Sequence, residues 1–522
     1  MNGKRSESRQ HYDLLVVGGG VNGAGIARDA AGRGLSVLLV EQDDLGAHTS
    51  SSSTKLIHGG LRYMERLHVG LVRKALKERE VVLDSAPHIS WPLRFVIPHD
   101  ERLRSAWMIR IGLVLYDNLA RRRRLAASHG IDLRRHVAGT PLRSGFRRGF
   151  VYSDGWVDDA RLVVLNALDA AERGATVRVR TRCVTATRQR EHWRVVLHDR
   201  LDGRSFEVTA RVLVNATGPW AGDFAHTALP RRPTHRIRLV KGSHIVVPRL
   251  YDHPFAYIFQ NDDRRVIFAI PYERDFTLIG TTDVQHSGDP ADVAIDAAEV
   301  EYLCASVNRY FAKPIAPADV VWAYAGVRPL LDDESSELAA VTRDYTLELD
   351  DEGPPLLSVF GGKITTFRRL AEQALSRIAT ALGRPDRQWT AGHVLPGGDL
   401  PGGDFDAWLR SLDKTYPWLP AELRKRYAHA YGTRMARLLE SATSLQDLGA
   451  EVLPGLYARE IDYLCDVEWA RTAEDVLWRR TKLGLHMADA GAADATLTAY
   501  LARRSPAPAR TRVSTDGVAE DA

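Results

Sequence analysis

Gly18-Gly-Gly-Val-Asn-Gly23 places glycines at the three positions of a G-x-G-x-x-G turn, and Glu41 stands 18 residues beyond the last of them. That spacing is a dinucleotide fingerprint. Gly18 permits a tight turn, Gly20 lets backbone approach a pyrophosphate, and Gly23 lets a helix pack closely on a strand. Unpaired N–H groups and the dipole at a helix N-terminus favour the phosphate charge. Glu41 is placed to accept hydrogen bonds from an adenosine ribose, and its carboxylate would repel a 2′-phosphate, which disfavours NADP and leaves NAD and FAD tied. Residues 43–63 break the tie: Asp-Asp-Leu-Gly-Ala-His-Thr-Ser-Ser-Ser-Ser-Thr-Lys-Leu-Ile-His-Gly-Gly-Leu-Arg-Tyr runs where an NAD domain would normally enter its next helix. Its hydroxyls and backbone N–H groups suit the pyrophosphate of an extended cofactor, and Gly59-Gly60 lets backbone lie against a flat ring. A plain serine linker is the alternative, but His58, Arg62 and Tyr63 bracket the run where more linker residues would be expected. Non-covalent FAD is the expected cofactor.

The elements that must hold these residues follow from hydropathy. Asp13-Leu-Leu-Val-Val17 reads as a buried strand, residues 24–34 as an alanine-rich helix, and Ser36-Val-Leu-Leu-Val40 as a second strand ending at Glu41. Val212-Leu-Val214 and Leu356-Leu-Ser-Val-Phe360 have the same look, and each ends in a glycine-containing turn. The sheet is therefore expected to assemble from distant pieces of chain. Ser243-His-Ile-Val-Val247, Arg265-Val-Ile-Phe-Ala-Ile270 and Phe276-Thr-Leu-Ile279 are spaced as an antiparallel meander. Beyond about residue 385 the pattern becomes helical, with long helices expected over 421–441 and 461–487, the latter containing a cap at Thr472 with Asp475 three residues on. The expected fold class is α/β plus α. A Rossmann-like FAD-binding domain takes residues 1–75, 150–235 and 340–385. An antiparallel β-rich substrate domain takes 76–149 and 236–339, a helical domain 386–502, and 503–522 form a disordered tail.

With 44% hydrophobic and 26% charged residues, the 522-residue chain is ordinary globular material, which excludes disorder, collagen and coiled coil. Its 71 Lys+Arg exceed 66 Asp+Glu by only five, almost all arginine, so nucleic acid is not an expected partner. The three cysteines are scattered without metal-ligand spacing; neither a disulfide framework nor a metal site is expected, and a reducing compartment is. No apolar h-region precedes Leu14, so secretion is not expected, and no window reaches the ~20 apolar residues of a spanning helix.

Several ordered segments together carry a resemblance: residues 18–26, Thr49 to Tyr63, Trp156-Val-Asp-Asp-Ala-Arg-Leu162, Asn215-Ala-Thr-Gly-Pro-Trp220, Lys241-Gly-Ser-His-Ile-Val-Val-Pro248, Gly280-Thr-Thr-Asp283, Gly326-Val-Arg-Pro-Leu330, Phe360-Gly-Gly-Lys-Ile-Thr-Thr366 and Leu477-Trp-Arg-Arg-Thr-Lys482. The sequence resembles the quinone-linked, FAD-dependent glycerol-3-phosphate dehydrogenases of the D-amino-acid-oxidase-like flavoprotein group. What the resemblance implies is oxidation of sn-glycerol 3-phosphate to dihydroxyacetone phosphate, with electrons passed through FAD to a membrane quinone. It implies cofactor contacts at Ser53, Lys55, His58, Gly59, Val184, Ala216, Gly218, Gly362, Lys363 and Thr365, besides Gly18, Gly20, Gly23 and Glu41. A phosphate dianion calls for arginine forks, so Arg62, Arg328 and Arg343, with the Tyr63 hydroxyl, are the phosphate candidates. The departing hydroxyl proton calls for a neutral imidazole, and His244 is the expected base. Lys363 could stabilise negative charge. Asp283 would orient a base or cap a turn, and Gln285 stands where an acid would be expected.

A quinone is lipid-soluble, so a protein without a spanning helix must dock. Residues 103–125, at about 100° per residue, gather Arg110, Asp117, Arg121 and Arg124 in a narrow arc and leave Trp107, Met108, Ile109, Ile111, Leu113, Val114, Leu115 and Tyr116 spread over the rest, a wide apolar helix with a basic end at Arg121 to Arg124. Interfacial insertion and burial as a core helix are equally open on this pattern. Trp469 and Trp478 with Arg479 and Arg480 are a rival membrane or dimer surface, and a homodimer is a candidate assembly. The expected location is the cytoplasmic face of the cell membrane, as a peripheral, monotopic protein. An oxygen-using oxidase and a catalytically silent flavin-binding protein are the alternatives.

Overall fold

The computed structural model describes residues 10–61, 64, 69–100, 105–228, 237–263, 265–331 and 344–504. Arg62, Tyr63, Arg343 and the tail beyond 504 lie outside the described residues.

Two sheets carry the catalytic part of the chain. Among the described residues the first has eight strands. Along its main path these are Tyr345–Asp350, Leu356–Gly361, Ser205–Asn215, Gln10–Val17, Val37–Val40 and Thr176–Arg178. The central pairings are parallel, and residues 14–17, 37–40 and 212–214 are apolar without alternation because both faces are covered, by helices Val21–Gly32, Asp159–Glu172 and Phe367–Ala381 on one and by side chains such as Trp193, Val195 and Leu197 on the other. The register matches Val17 with both Val40 and Asn215. Three strands thus end level, and Gly18, Glu41 and Ala216 emerge side by side at the carboxyl edge where ligands of such sheets bind.

The second sheet has ten strands among the described residues, mostly antiparallel. The meander expected from spacing is present: Val266–Tyr272 pairs with Phe276–Gly280, which pairs with Ile237–Pro248. On its other side Ile237–Pro248 pairs along its length with Trp322–Leu331. The boundary drawn at residue 150 needs correction, because Arg148–Val157 is one continuous strand of this second sheet, paired with Ser90–Pro98. The helix expected over 103–125 spans Ala106–Asn118 among the described residues, so Arg121 to Arg124 lie beyond its end.

Residues 405–501 pack a largely helical core of their own within the 386–502 stretch expected to be a helical domain. Its long helices are shorter than the patterns suggest. Ala421–Tyr431 stops at Gly432, whose φ of +52° turns the chain against the Gly397 carbonyl. The 461–487 pattern divides into Ala458–Val467, a π turn at Asp475–Arg480 and a 3₁₀ turn at Leu483–His486, with Trp469 and Lys482 in left-handed conformations. The cap survives as Asp475 N–H to Thr472 Oγ1 at 3.2 Å. Arg479 and Arg480 are buried, both bonded to Asp44, and Trp478 stacks on Trp322. These side chains are an internal seam between domains, which overturns their reading as an outer membrane or dimer surface. Arg161, bonded to Glu468 and to the Ala430 carbonyl, closes the same seam.

His88 sits in this seam against Gly397 and Gly432, fully buried, with neither ring nitrogen partnered among the described residues. Burial, then the charges of Arg161 and His429, push its pKa down from 6.5 to about 3. An unfolded chain takes up a proton near pH 6.5 that the folded protein refuses, so this stability is present above pH 6.5 and is lost as pH falls toward 3, by at most ~1.4 kcal/mol per pH unit. In His88→Leu, urea denaturation should give stability near wild type at pH 7.5 and a shallower loss on acidification; an unchanged pH slope would show that His88 does not report it.

Candidate active site

A cleft of about 370 Å³ opens at the carboxyl edge of the first sheet, lined by Gly18, Gly20, Glu41, Val184, Ala216 and Gly218 together with His48, Thr49 and Ser50. Six predicted cofactor residues from three distant stretches of sequence are thereby brought to one place. Gly18 has φ +109°, and a Cβ there would stand 2.4 Å from the Ala216 carbonyl oxygen. Gly23 lies beneath, where a Cβ would stand 1.9 Å from the Gly18 carbonyl oxygen, so the helix start and strand end touch through glycine. Glu41 accepts N–H bonds from Gly19 at 2.6 Å and Asp43 at 2.9 Å, and burial pushes its carboxyl up despite them.

Val184 reads from sequence as ordinary strand core. It is 47% exposed, because the Thr181–Arg188 strand bulges between Cys183 and Thr185 and leaves Val184 without a cross-strand partner. A bulge re-aims one residue, here into the cleft.

The serine-rich loop is seated on the Trp322–Leu331 strand. Thr49 Oγ1 donates to the Val327 carbonyl at 2.7 Å, and the Tyr324 hydroxyl donates to the Ser53 carbonyl at 2.9 Å. Ser53 Oγ and Lys55 Nζ both donate to Asp159, at 2.7 Å each. Their side chains therefore hold the loop, which leaves backbone as what they offer a cofactor. Gly59 donates its N–H to the Tyr116 hydroxyl at 2.8 Å, and a Cβ on it would meet Leu76 at 2.6 Å. His58 and Thr365 are tied by a bond from His58 N–H to Thr365 Oγ1 at 3.2 Å, which sets the loop beside Gly362 and Lys363. Gly362 has φ +111° and faces the Asn22 amide, whose buried Oδ1 has no partner among the described residues.

His244 and Arg328 share one face of the second sheet: Val240 is level with Arg328, and His244 with Tyr324 and Gly280. His244 is fully buried. Its Nε2 is bonded to Thr54 Oγ1 at 2.9 Å, its Nδ1 has no partner among the described residues, and its ring stacks on Tyr324. A Cβ on Gly280 would stand 2.1 Å from the imidazole, so only glycine leaves room for it. Burial, then the charges of Arg328 and Lys55, push its pKa well below 6.5, so the ring is neutral. The Arg328 guanidinium lies over Gly242 and donates to Asp283 Oδ1 at 2.6 Å, to the Thr282 carbonyl and to Thr281 Oγ1. Asp283 thus orients the arginine. Gln285 is exposed and pairs opposite Val240.

A family profile described as "FAD dependent oxidoreductase" matches residues 13–368. The chain belongs to that family. A second profile, "C-terminal domain of alpha-glycerophosphate oxidase", matches residues 389–504 of this FAD-dependent oxidoreductase. It is 55% identical over 478 residues to a Pseudomonas aeruginosa protein named glycerol-3-phosphate dehydrogenase, covering 91% of this chain and 92% of that one. It is 49% identical over 479 residues to a Brucella abortus protein named D-erythritol 1-phosphate dehydrogenase, covering 92% and 95%. The solved glycerol-3-phosphate dehydrogenase of Bacillus halodurans, complexed with FAD, superposes with a TM-score of 0.77 at 28% identity, covering 95% of this chain and 91% of that one. FAD is the cofactor, and the residues present fit it: glycine leaves backbone bare where Gly18 and Gly23 meet strand and helix, and a bulged strand edge faces the same cleft.

Sequence reasoning missed Thr54, Tyr324 and Gly280. Thr54 stood in the hydroxyl-rich run without a separate signal. Tyr324 and Gly280 gain meaning only from strand register. Gly18→Ala, which forces a side chain into a left-handed turn and against a carbonyl, should purify with a much lower flavin-to-protein absorbance ratio than wild type; full flavin content would show that the turn tolerates a Cβ.

Proposed function

We propose that this chain is a glycerol-3-phosphate dehydrogenase that oxidises sn-glycerol 3-phosphate to dihydroxyacetone phosphate and delivers the electrons to a quinone at the membrane surface. The observation that carries it is a neutral, buried histidine and an oriented arginine fork on one sheet face beside the cofactor loop, in a chain whose relatives bear that name. Arg328 holds the phosphate, a role the resemblance also gives to Arg62, Tyr63 and Arg343, which lie outside the described residues. His244 takes the proton of the secondary hydroxyl at its unpartnered Nδ1 while Thr54 fixes Nε2. The chemistry that FAD supplies when bound is acceptance of the hydride from the same carbon. Lys363 and the backbone around Gly362 steady negative charge there. Phosphate bound at Arg328 offsets the positive charge that depresses His244 and so raises its basicity.

Membrane contact is part of the same proposal. Among the described residues no helix is long and apolar enough to cross a membrane. Helix Ala106–Asn118 turns Leu113 and Tyr116 inward and leaves Trp107, Met108, Ile111, Val114 and Leu115 between 42% and 65% exposed. Beside Trp107 a recess is lined by Arg134, Arg143, Arg147 and Arg148, and Arg121 to Arg124 follow the helix, partly neutralised by Asp84 and Asp117. An apolar face flanked by cations suits an anionic bilayer surface.

Anaerobic glycerol 3-phosphate should bleach the long-wavelength flavin band of the purified protein, and faster than D-erythritol 1-phosphate does. No bleaching sinks the assignment and favours a silent flavin protein; preference for erythritol phosphate moves the substrate. The oxidase-named C-terminal match favours oxygen as a second reading, which stoichiometric peroxide in air without quinone would support. Arg328→Ala should raise KM by about 100-fold, near 3 kcal/mol for a charged fork, with FAD retained; flavin loss would place that arginine elsewhere. Ile111→Ser with Leu115→Ser should lower co-sedimentation with anionic vesicles several-fold while anaerobic bleaching persists; undiminished binding would put the membrane contact on another face.

A further inference from the structure

The C-terminal segment 478–482 reaches His244 by two routes. The first is a stack of rings. His244 lies on Tyr324 with centroids 4.8 Å apart and planes 17° apart, Tyr324 meets Trp322 at 4.9 Å, and Trp322 stacks on Trp478 at 4.8 Å and 21°. Cross-strand register sets the first three rings on one sheet face, and the fourth arrives from the other domain. Trp478 is fixed in turn: a Cβ on Gly484 would stand 2.7 Å from its ring, and Lys482 Nζ donates to its carbonyl at 2.8 Å. The second route runs along the loop. Asp44, fully buried, accepts from Arg479 at 2.7 Å and from Arg480 at 2.7 and 2.8 Å. Ten residues on, Thr54 bonds His244 Nε2 at 2.9 Å. The ring plane and the ring edge of one histidine are both referred to the same five residues of the C-terminal domain.

We propose that the C-terminal domain serves catalysis by positioning His244, with Trp478 as the positioning residue that fixes the imidazole plane through Trp322 and Tyr324. The proposal rests on His244 being the proton acceptor. A stacked imidazole cannot tilt without disturbing three rings, and its Nε2 bond prevents rotation about the ring normal, so Nδ1 presents one fixed direction to the substrate. Displacements near 1 Å in such a group cost on the order of 100-fold in rate. Loss of Trp478 opens a void under Trp322 into which the stack can relax.

The test is rapid-mixing measurement of anaerobic flavin reduction by glycerol 3-phosphate in the full-length holoenzyme. Trp478→Leu should lower the limiting reduction rate at least about tenfold while the substrate concentration for half-maximal rate, the flavin content and the flavin spectrum stay near wild type, and Trp478→Phe should recover most of the rate. Adding Trp478→Leu to His244→Asn should slow the enzyme no further than His244→Asn alone, because the tryptophan acts through the histidine. An undiminished rate in Trp478→Leu, a rate loss matched by a shift in substrate affinity, or rate losses that multiply in the double variant would each overturn the proposal. Wild-type reduction by His244→Asn would instead remove the base assignment on which it stands, whatever Trp478 does. If Trp478→Leu does not fold, Trp478→Met in the same cycle decides.

Discussion

Residues 43–55 cross between the two sheets with a buried charge tied down at each end. At one end Asp44 is held by Arg479 and Arg480; at the other Lys55 is held by Asp159. Burying such groups is costly, and a buried pair is weak evidence of net stability. What it does supply is intolerance of any other arrangement: removing one partner strands the other in a low-dielectric interior at a cost of about 3–5 kcal/mol. The loop touches both the cofactor cleft and the His244 site. His48, Thr49 and Ser50 line the cofactor cleft, Ser53 accepts from Tyr324, and Thr54 holds His244.

The arrangement sets the charge state of the site before any ligand arrives. Lys55 and Arg328 stand near a histidine that is already dehydrated, so the imidazole is neutral while each cation keeps its own carboxylate, Asp159 for Lys55 and Asp283 for Arg328. Asp283 aims Arg328. One face of the sheet thus carries a neutral imidazole and a guanidinium fork side by side. Clearance at Gly242 and Gly280 lets both side chains lie flat against the strands that carry them.

At the surface the opposite rule applies. Helix Ala106–Asn118 gathers five exposed large apolar side chains on one element, whereas the other exposed large apolar residues are scattered singly. An apolar face of that size is unusual on a monomeric soluble protein and calls for a covering surface.

By itself the sequence determined what depends on local chemistry. Glycine spacing after an apolar strand predicts the cofactor turn because positive φ and backbone contact admit almost nothing else, and continuous apolar runs predict buried parallel strands whatever lies beside them. The three-part fold and the clustering of Gly18, Glu41, Ala216 and Gly218 were legible on those grounds. Only the tertiary structure decided matters of pairing and of which side of an element meets a neighbour. Val184 enters the cleft through a bulge defined by the opposite strand. Arg479 and Arg480, which look like surface charge, are buried because Asp44 waits 435 and 436 residues upstream. The helix at 106–118 is exposed although its composition fits a core equally well. Period and propensity specify an element, but burial, partner and register are properties of two elements at once, and one stretch of sequence holds only half of each.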